Sequence, residues 1–180
     1  MSKLILGFIG PIASGKGTAC RYFSEKYQAD SFRFSSILRD ILDRLYLPQS
    51  RENMQELSLL LRENFSQDIL SKAIAEDANK AAGELVVIDG IRRESDIKHL
   101  RHTPGFKLIG LAVDVRRRYE RLVQRHENSD DQNKTWEEFQ KDQEAEAERQ
   151  IPEMIRKADV VIDNNGTLEE FYKNLDRLVE

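Results

Sequence analysis

The segment LILGFIGPIASGKGTAC, residues 4–20, restricts the fold of this chain more than any other part of the sequence. It opens with a continuous apolar run, which is typical of a central parallel strand covered on both faces. Gly10, four further residues, Gly15 and Lys16 follow, and this spacing matches a phosphate-binding loop between a strand and a helix. The segment therefore predicts an α/β sheet whose first strand ends at a phosphate site.

The chemistry of phosphate binding explains the residue types in this loop. Glycines let the backbone adopt positive φ, so that successive N–H groups point into one concavity, and the next helix adds the positive end of its dipole. Lys16 then places a mobile charge over the β- and γ-phosphates. The alternative is an ordinary strand-to-helix connection that happens to contain these residues. The candidate ATP-binding residues are Gly10, Pro11, Ile12, Ala13, Ser14, Gly15, Lys16, Gly17 and Thr18.

Composition limits the class of protein and its partners. The chain has 180 residues and a net charge of −4, which argues against general nucleic-acid binding and makes any anion site a local basic cluster. A single cysteine, Cys20, excludes an internal disulfide and a cysteine-rich zinc site and favours a reducing, cytoplasmic compartment. No segment is long enough to span a bilayer, and no linker or repeat divides the chain. We expect one domain over residues 1–180, a monomer or weak dimer, with no membrane or nucleic-acid partner.

Apolar runs and helical spacing alternate along the rest of the chain. Apolar residues recur at helical spacing over residues 54–61 and 70–78 and, more weakly, over 136–143. Strands that alternate with helices predict a parallel sheet wound on both faces, whose ligands bind at the carboxyl ends of the strands. The five candidate strands are Leu4–Ile9, Ser31–Phe34, Leu85–Asp89, Phe106–Val113 and Asp159–Ile162.

The third candidate strand ends in a carboxylate followed by two arginines. Asp89 comes directly after a Val-Val-Ile run, and Arg92 and Arg93 follow within four residues. A carboxylate beside a phosphate loop can orient Mg²⁺ through its waters, and an arginine can bind an acceptor phosphate through two hydrogen bonds. The alternative is that Asp89 caps the next helix and that the arginines face solvent.

Arginines are concentrated after the fourth candidate strand. Arg117, Arg121 and Arg125 lie at i, i+4 and i+8, on one face of a predicted helix, where like charges destabilise each other by about 0.2–0.5 kcal/mol per pair. A bound phosphate would offset that cost. An acidic stretch over residues 137–148 could instead pair with these arginines, and both interpretations can hold together.

Two further strand ends carry candidate ligand-binding residues. In SSILRDIL, Ser35 and Ser36 could cap a helix, and Arg39 could reach an acceptor phosphate or remain a surface residue. Near the C-terminus, Asn164 lies in a turn between a strand and a capped helix. This residue could contact the adenine base, or the segment could be no more than a well-formed turn.

Several of these motifs resemble those of known kinases. GPIASGKGT resembles the loop of adenylate-kinase-type nucleoside monophosphate kinases, and DGIRR, SSILR and ERLVQR resemble elements that carry their phosphate-binding arginines. The segment RQIPEMIRKADVVIDNNGT is similar to dephospho-coenzyme A kinases. Almost the whole chain takes part in the resemblance, which is to P-loop small-molecule kinases of this group. The arginines matched in this way are Arg39, Arg93, Arg121, Arg125 and Arg149.

The resemblance implies a P-loop NTPase fold, ATP and Mg²⁺, and two helical segments around the site. Residues of about 35–80 would bind the acceptor, with Ser35, Arg39 and Arg93 in contact with it, and residues of about 116–148 would form a lid. Lys16, Asp89, Arg121, Arg125 and Arg149 would act on the transferring phosphoryl group. Arg121 and Asn164 would also contact the nucleotide.

Two departures from the family patterns affect the metal and the acceptor. Gly17 stands where the general motif has the Ser or Thr that binds Mg²⁺, so direct ligation by Thr18 is not expected, and Asp89 would hold the ion through water. Dephospho-coenzyme A kinases have an Asp where this chain has Ser35. A phosphate acceptor needs no base whereas a hydroxyl does, which favours a nucleoside monophosphate, although Asp40 could serve as a displaced base.

The sequence therefore predicts an ATP-dependent kinase that acts on a nucleotide-like acceptor, with a nucleoside monophosphate favoured. The first alternative is a dephospho-coenzyme A kinase. The alternative from another class is an ATP-binding switch or assembly ATPase without a small acceptor, which would release ADP whether or not an acceptor is added.

Overall fold

The computed structural model describes residues 3–124, 132, 134–143 and 149–180. Five parallel strands form one sheet in the order β2-β3-β1-β4-β5, so the strand that leads into the glycine-rich loop lies at its centre. This arrangement confirms the predicted five-stranded parallel sheet. The strands are β1 (Leu4–Ile9), β2 (Asp30–Arg33), β3 (Leu85–Ile91), β4 (Phe106–Ala112) and β5 (Val160–Asp163).

Helices cover both faces of the sheet. On β1, Ile5 and Ile9 face one apolar cluster and Leu6 and Phe8 face the other, as the two-residue period of a strand requires. One cluster contains side chains of α1 and α9, and the other contains side chains of α2, α4 and α8. The helices are α1 (Lys16–Tyr27), α2 (Phe34–Arg44), α3 (Arg51–Asn64), α4 (Ile69–Lys80), α5 (Glu94–Ile97), α6 (Val115–Gln124), α7 (Trp136–Gln143), α8 (Ile151–Arg156) and α9 (Leu168–Asp176).

Helical spacing located three of these helices correctly. The patterns over residues 54–61, 70–78 and 136–143 fall within α3, α4 and α7. The predicted cap near the C-terminus is also present, because Thr167 Oγ1 accepts from the N–H of Glu170 and the Glu170 carboxylate accepts from the N–H of Thr167. Helices of this chain that have a clear local pattern can therefore be predicted from the sequence.

The second strand differs from its prediction. It covers Asp30–Arg33 instead of Ser31–Phe34, and Phe34 begins α2 with its side chain in the core. Arg33, with extended backbone, is the residue before the helix, so Ser35 and Ser36 lie in the first turn and do not cap it. The sequence predicts Phe34 as part of the strand, because a buried apolar residue gives the same local pattern in a helix and in a strand.

Strand register brings the carboxyl ends of the central strands together. Arg33 of β2 is the pairing partner of Asp89 in β3, and Ile9 of β1 pairs with Ile91 beyond it. The loop after β1 therefore opens beside the last residues of β2 and β3, where ligands of open parallel sheets bind. Within the described residues, no helix is long and apolar enough to cross a membrane.

Candidate functional site

The loop between β1 and α1 curls around its own lysine. Gly15 has φ 104°, a conformation that favours glycine, and Ala13 has φ 60°. Lys16 Nζ donates to the carbonyl oxygens of Gly10 at 2.6 Å and Pro11 at 3.0 Å. The ammonium group is thus held over the concavity by acceptors of the loop itself.

A buried hydroxyl lies inside the same loop. Ser14 Oγ is buried without a hydrogen-bond partner among the described residues, and a Cβ atom placed on Gly10 would approach it to 2.4 Å. A buried hydroxyl normally has a partner, since leaving one unpaired is costly. The turned-in lysine, the left-handed Gly15 and this hydroxyl fit a loop that binds phosphate.

Side chains from α6 and from the residue after β5 contact the outside of the loop. The Asn164 amide is buried and donates to the Ser14 carbonyl at 2.9 Å, and Arg121 Nη2 donates to the Asn164 carbonyl at 2.9 Å. Burial and the nearby Arg117 lower the pKa of Arg121. Asn164 therefore contacts the back of the loop, while its contact with a nucleotide base stays a prediction.

A second arginine of α6 reaches the loop directly. Arg118 is buried, its Nη1 lies 3.4 Å from the Ile12 carbonyl, and its Nη2 donates to Gln143 Oε1 of α7 at 2.5 Å. Its guanidinium also lies 5.5 Å from the ring centre of Phe139. Arg118 consequently joins α6 and α7 to the loop. The arginines predicted to bind phosphate in this region are its neighbours Arg117, Arg121 and Arg125, and that role stays a prediction.

The spacing of Arg118 in the sequence could have indicated its burial, although the residue is charged. Arg118 precedes the buried Leu122 by one helical turn, which places it on the apolar face of α6, while Arg117 is exposed. The lid is predicted over residues of about 116–148, and Arg125, Glu144, Glu146 and Glu148 lie outside the described residues. The described contacts of α7 with α6 include an aromatic cluster of Tyr119, Trp136 and Phe139.

The ends of β2 and β3 carry a charged pair beside the loop. Arg33 Nη2 lies 2.8 Å from Asp89 Oδ2, and the same atom is 3.6 Å from where a Cβ atom on Gly17 would lie. Burial raises the pKa of the Cys20 thiol, and Asp89 raises it further, while Arg33 and Lys16 oppose that shift. Lys16, Arg33 and Asp89 therefore all lie close enough to Cys20 of α1 to influence its thiol.

The segment after β3 is fixed by Arg62, an arginine that the sequence did not predict as part of the site. Asp96 Oδ1 accepts from Arg62 Nη2 of α3 at 2.7 Å, while its Oδ2 accepts from the N–H groups of Arg92 and Arg93 at 3.0 Å each. Arg62 also donates to the Gln67 carbonyl. Helix α3 therefore fixes the backbone that carries the two arginines predicted near the acceptor.

Arg93 lines a cavity of about 550 Å³ between α5 and the start of α8. This volume lies within the range of small-molecule sites, roughly 300–1,000 Å³. The other lining residues are polar apart from Met154: they are Gln67, Glu94, Ser95, Gln150 and Glu153. Arg93, one of the predicted acceptor residues, therefore lies at an open volume.

The remaining candidates occupy separate positions around this edge of the sheet. Arg39 is half-buried on α2 and is not among the residues that line the cavity of Arg93. Ser35 and Thr18 are half-buried in the first turns of α2 and α1. Arg149 is exposed in the turn before α8, and Asp40 is exposed on α2. The contact of Arg39 and Arg93 with one acceptor stays a prediction.

Fold and site together define a P-loop kinase-like domain. A model of the AAA_17 family, an AAA domain, matches residues 9–140. A UPF0200 protein of Thermococcus gammatolerans is 31% identical over 182 residues, with 98% of this chain and 94% of that protein covered. The Thermococcus kodakarensis UPF0200 protein is 30% identical, with 98% and 97% covered. The chain belongs to the AAA_17 domain family, and it belongs to the UPF0200 proteins as well.

Solved structures share the fold at low identity. Shikimate kinase from Bacteroides thetaiotaomicron superposes with a TM-score of 0.65 and 13% identity, covering 98% of each chain. Shikimate kinase from Aquifex aeolicus gives a TM-score of 0.54 and 15% identity, covering 98% of this chain and 96% of that one. This likeness confirms the P-loop kinase fold, whereas the finer resemblance to adenylate or dephospho-coenzyme A kinases stays a prediction.

Proposed function

We propose that this protein transfers the γ-phosphoryl group of ATP to a nucleotide-like acceptor, with a nucleoside monophosphate as the leading candidate. The observation that carries the proposal is Lys16 turned over the concavity of its loop, with Arg33 and Asp89 at the adjacent strand ends. Cations fixed around a phosphate-sized concavity stabilise the charge of a phosphoryl group in transfer.

The proposed reaction is an in-line displacement. An oxygen of the acceptor phosphate forms a bond to the γ-phosphorus, and the bond from that phosphorus to the β–γ bridging oxygen breaks with its electron pair leaving on ADP. The acceptor oxygen is already anionic near neutral pH, so no residue needs to remove a proton from it. Lys16 and the loop amides bind the donor phosphates, and α6, which Arg118 ties to the loop, covers them and excludes water.

The residues around Asp89 do not fit a magnesium ion bound directly by the protein. Asp89 already pairs with Arg33, and Gly17 offers no hydroxyl at the position where the general motif has one. Mg²⁺ held through water by Asp89 stays a prediction from the sequence.

A coupled ADP assay over nucleoside monophosphates and dephospho-coenzyme A tests this function. We expect ADP release to require one nucleoside monophosphate, and Lys16→Met to lower turnover at least about a hundredfold, the scale of losing one donor to the transition state. Lys72→Met, on the exposed face of α4, is the matched control and should be neutral. Dephospho-coenzyme A as the preferred acceptor would select that alternative, and ADP release without any acceptor would select an ATP-driven switch.

The cavity of Arg93 is the proposed acceptor site. We expect Arg93→Ala to weaken acceptor binding about tenfold to a hundredfold, because one charge-assisted hydrogen bond contributes roughly 1.5–3 kcal/mol. ATP affinity should change little, since its phosphates contact Lys16 and the loop. Arg39→Ala, measured in parallel by calorimetry, tests whether both arginines bind the acceptor. Loss of ATP binding with acceptor binding intact would reverse the assignment of Arg93.

A further inference from the structure

The surroundings of Asp89 differ in two ways from a general phosphate-loop site. In that site, Ser or Thr follows the lysine and its hydroxyl binds Mg²⁺, whereas Gly17 holds this position here. The carboxylate expected to hold the waters of the ion, Asp89, is instead paired with Arg33 at 2.8 Å. The hydroxyl that would bind the ion is therefore missing, and the carboxylate that would hold its waters is already paired with a guanidinium.

The guanidinium of Arg33 lies between these two altered positions. Its Nη2 atom is 2.8 Å from Asp89 Oδ2 and 3.6 Å from where a Cβ atom on Gly17 would stand. The pairing of Arg33 with Asp89 across β2 and β3 fixes the backbone from which the side chain extends. A positive charge is thus held beside the first turn of α1, in the space that an ion bound by residue 17 and Asp89 would use.

Arg33 retains donors for a ligand. A guanidinium has five N–H donors in a rigid fork that matches phosphate oxygens, and Asp89 engages one side of it. The Arg33 side chain is 39% exposed, whereas that of Asp89 is 11% exposed. The exposed part of the Arg33 side chain therefore retains N–H donors for a ligand.

We propose that Arg33 binds the phosphates of the nucleotide in place of a protein-bound metal ion, so that nucleotide binding does not depend on Mg²⁺. The proposal rests on nucleotide binding by the loop, as the proposed function does. Lys16 and Arg33 then supply two fixed charges to the phosphates. In this arrangement Asp89 is a positioning residue for Arg33.

Calorimetric titration of ADP, in EDTA and in excess MgCl₂, tests this proposal. For the natural protein we expect the two dissociation constants to differ by less than about threefold, because the charges that bind phosphate are built into the protein. For Arg33→Gln we expect ADP affinity in EDTA to fall about tenfold to a hundredfold, with most of the loss recovered in MgCl₂. Arg21→Gln, exposed on α1, removes the same charge and should behave as the natural protein does.

Two further variants separate phosphate binding from a change in folding. Arg33→Lys keeps the charge without the fork and should give an intermediate loss in EDTA. Gly17→Ser combined with Arg33→Gln restores the hydroxyl of the general motif and should make ADP binding strongly dependent on MgCl₂. Melting curves recorded beside each titration identify a variant that has failed to fold.

The outcomes distinguish this proposal from the proposed function. If the natural protein loses ADP binding in EDTA, or if Arg33→Gln binds ADP in EDTA as the natural protein does, the role of Arg33 is overturned, and phosphotransfer can still stand on the ADP assay. If ADP binds independently of metal but no acceptor supports turnover, phosphotransfer fails and the role of Arg33 stands.

Discussion

Two arginine–aspartate pairs meet the carboxyl end of β3, and they differ in how far solvent reaches them. Arg62 and Asp96 are 2.7 Å apart, with side chains 6% and 4% exposed. Arg33 and Asp89 are 2.8 Å apart, with side chains 39% and 11% exposed. The distances are nearly the same, so the surroundings of each pair separate their roles.

We call Arg62 and Asp96 the closed pair, and Arg33 and Asp89 the open pair. The closed pair is surrounded by further hydrogen-bonding partners within the protein. Arg62 also donates to the Gln67 carbonyl and to Ser95 Oγ, and Asp96 accepts from two backbone N–H groups. The open pair lies next to the phosphate loop and leaves part of its guanidinium to solvent. An ion pair whose donors are used within the protein therefore fixes the fold, whereas one with exposed donors beside an anion site is suited to binding a ligand.

Breaking the closed pair gives the largest expected loss of stability. We expect Arg62→Ala to lower the free energy of unfolding by about 3–5 kcal/mol, because it leaves Asp96 buried without its cation. Arg33→Gln should cost less than about 1 kcal/mol, as partly exposed pairs do. Urea unfolding at neutral pH measures both, with Arg44→Ala on the exposed end of α2 as the control. Equal losses for Arg62→Ala and Arg33→Gln would remove the distinction between the pairs.

Arg118 combines features of the two pairs, because it is a buried arginine that also contacts the loop. We expect Arg118→Met to cost about 1.5–3 kcal/mol of stability, the scale of a hydrogen bond to a charged group, since it loses contacts with Ile12 and Gln143. Because the loop loses a support, ADP affinity should fall as well. Thermal unfolding and ADP titration of the same samples test this, with Arg44→Met, exposed on α2, as control. A stability loss with unchanged ADP affinity would place Arg118 with Arg62, as a residue that serves the fold alone.

Replacing Asp176 tests whether hydrogen bonds from several donors can stabilise a carboxylate that is not buried. We expect this replacement to give the smallest loss of stability. It accepts from Tyr22, Lys26 and Tyr27, which join α9 to α1, and the hydrogen bond from Lys26 is the chief cause that lowers its pKa to about 2. A carboxyl whose pKa is lower in the folded state contributes stability above its unfolded pKa, near 4, and loses it as pH falls through about 2.

The measurement is the stability difference between the natural protein and Asp176→Asn in urea at several pH values. We expect the natural protein to be more stable at pH 7 and the difference to shrink as the pH is lowered from about 4 towards about 2. Glu25→Gln, on the exposed face of α1, is the control. A difference that stays constant over this range would show that the carboxylate charge contributes nothing to the joint between α1 and α9.

Features of this protein whose interactions are local can be predicted from its sequence. The strand, glycine-rich loop and helix over residues 4–27 follow from an apolar run, Gly15 in the left-handed region and Lys16 beside it in the chain. The capping box at Thr167 and the helical spacing of α3 and α4 are local in the same sense. Backbone sterics and side-chain period act over a few residues, so these features could be predicted without knowing the neighbours in space.

Which arginines contact which acceptors depends on contacts between distant parts of the chain. Arg33 reaches Asp89 through the register of β2 on β3, Arg62 reaches Asp96 from α3, and Arg118 reaches Ile12 from α6. Each pair joins residues far apart in the chain, and an arginine has the same local signal whether it is buried, paired or exposed. Strand order, register and burial select among them, because desolvation and geometry decide which charges can be held together, and neither is encoded within one segment.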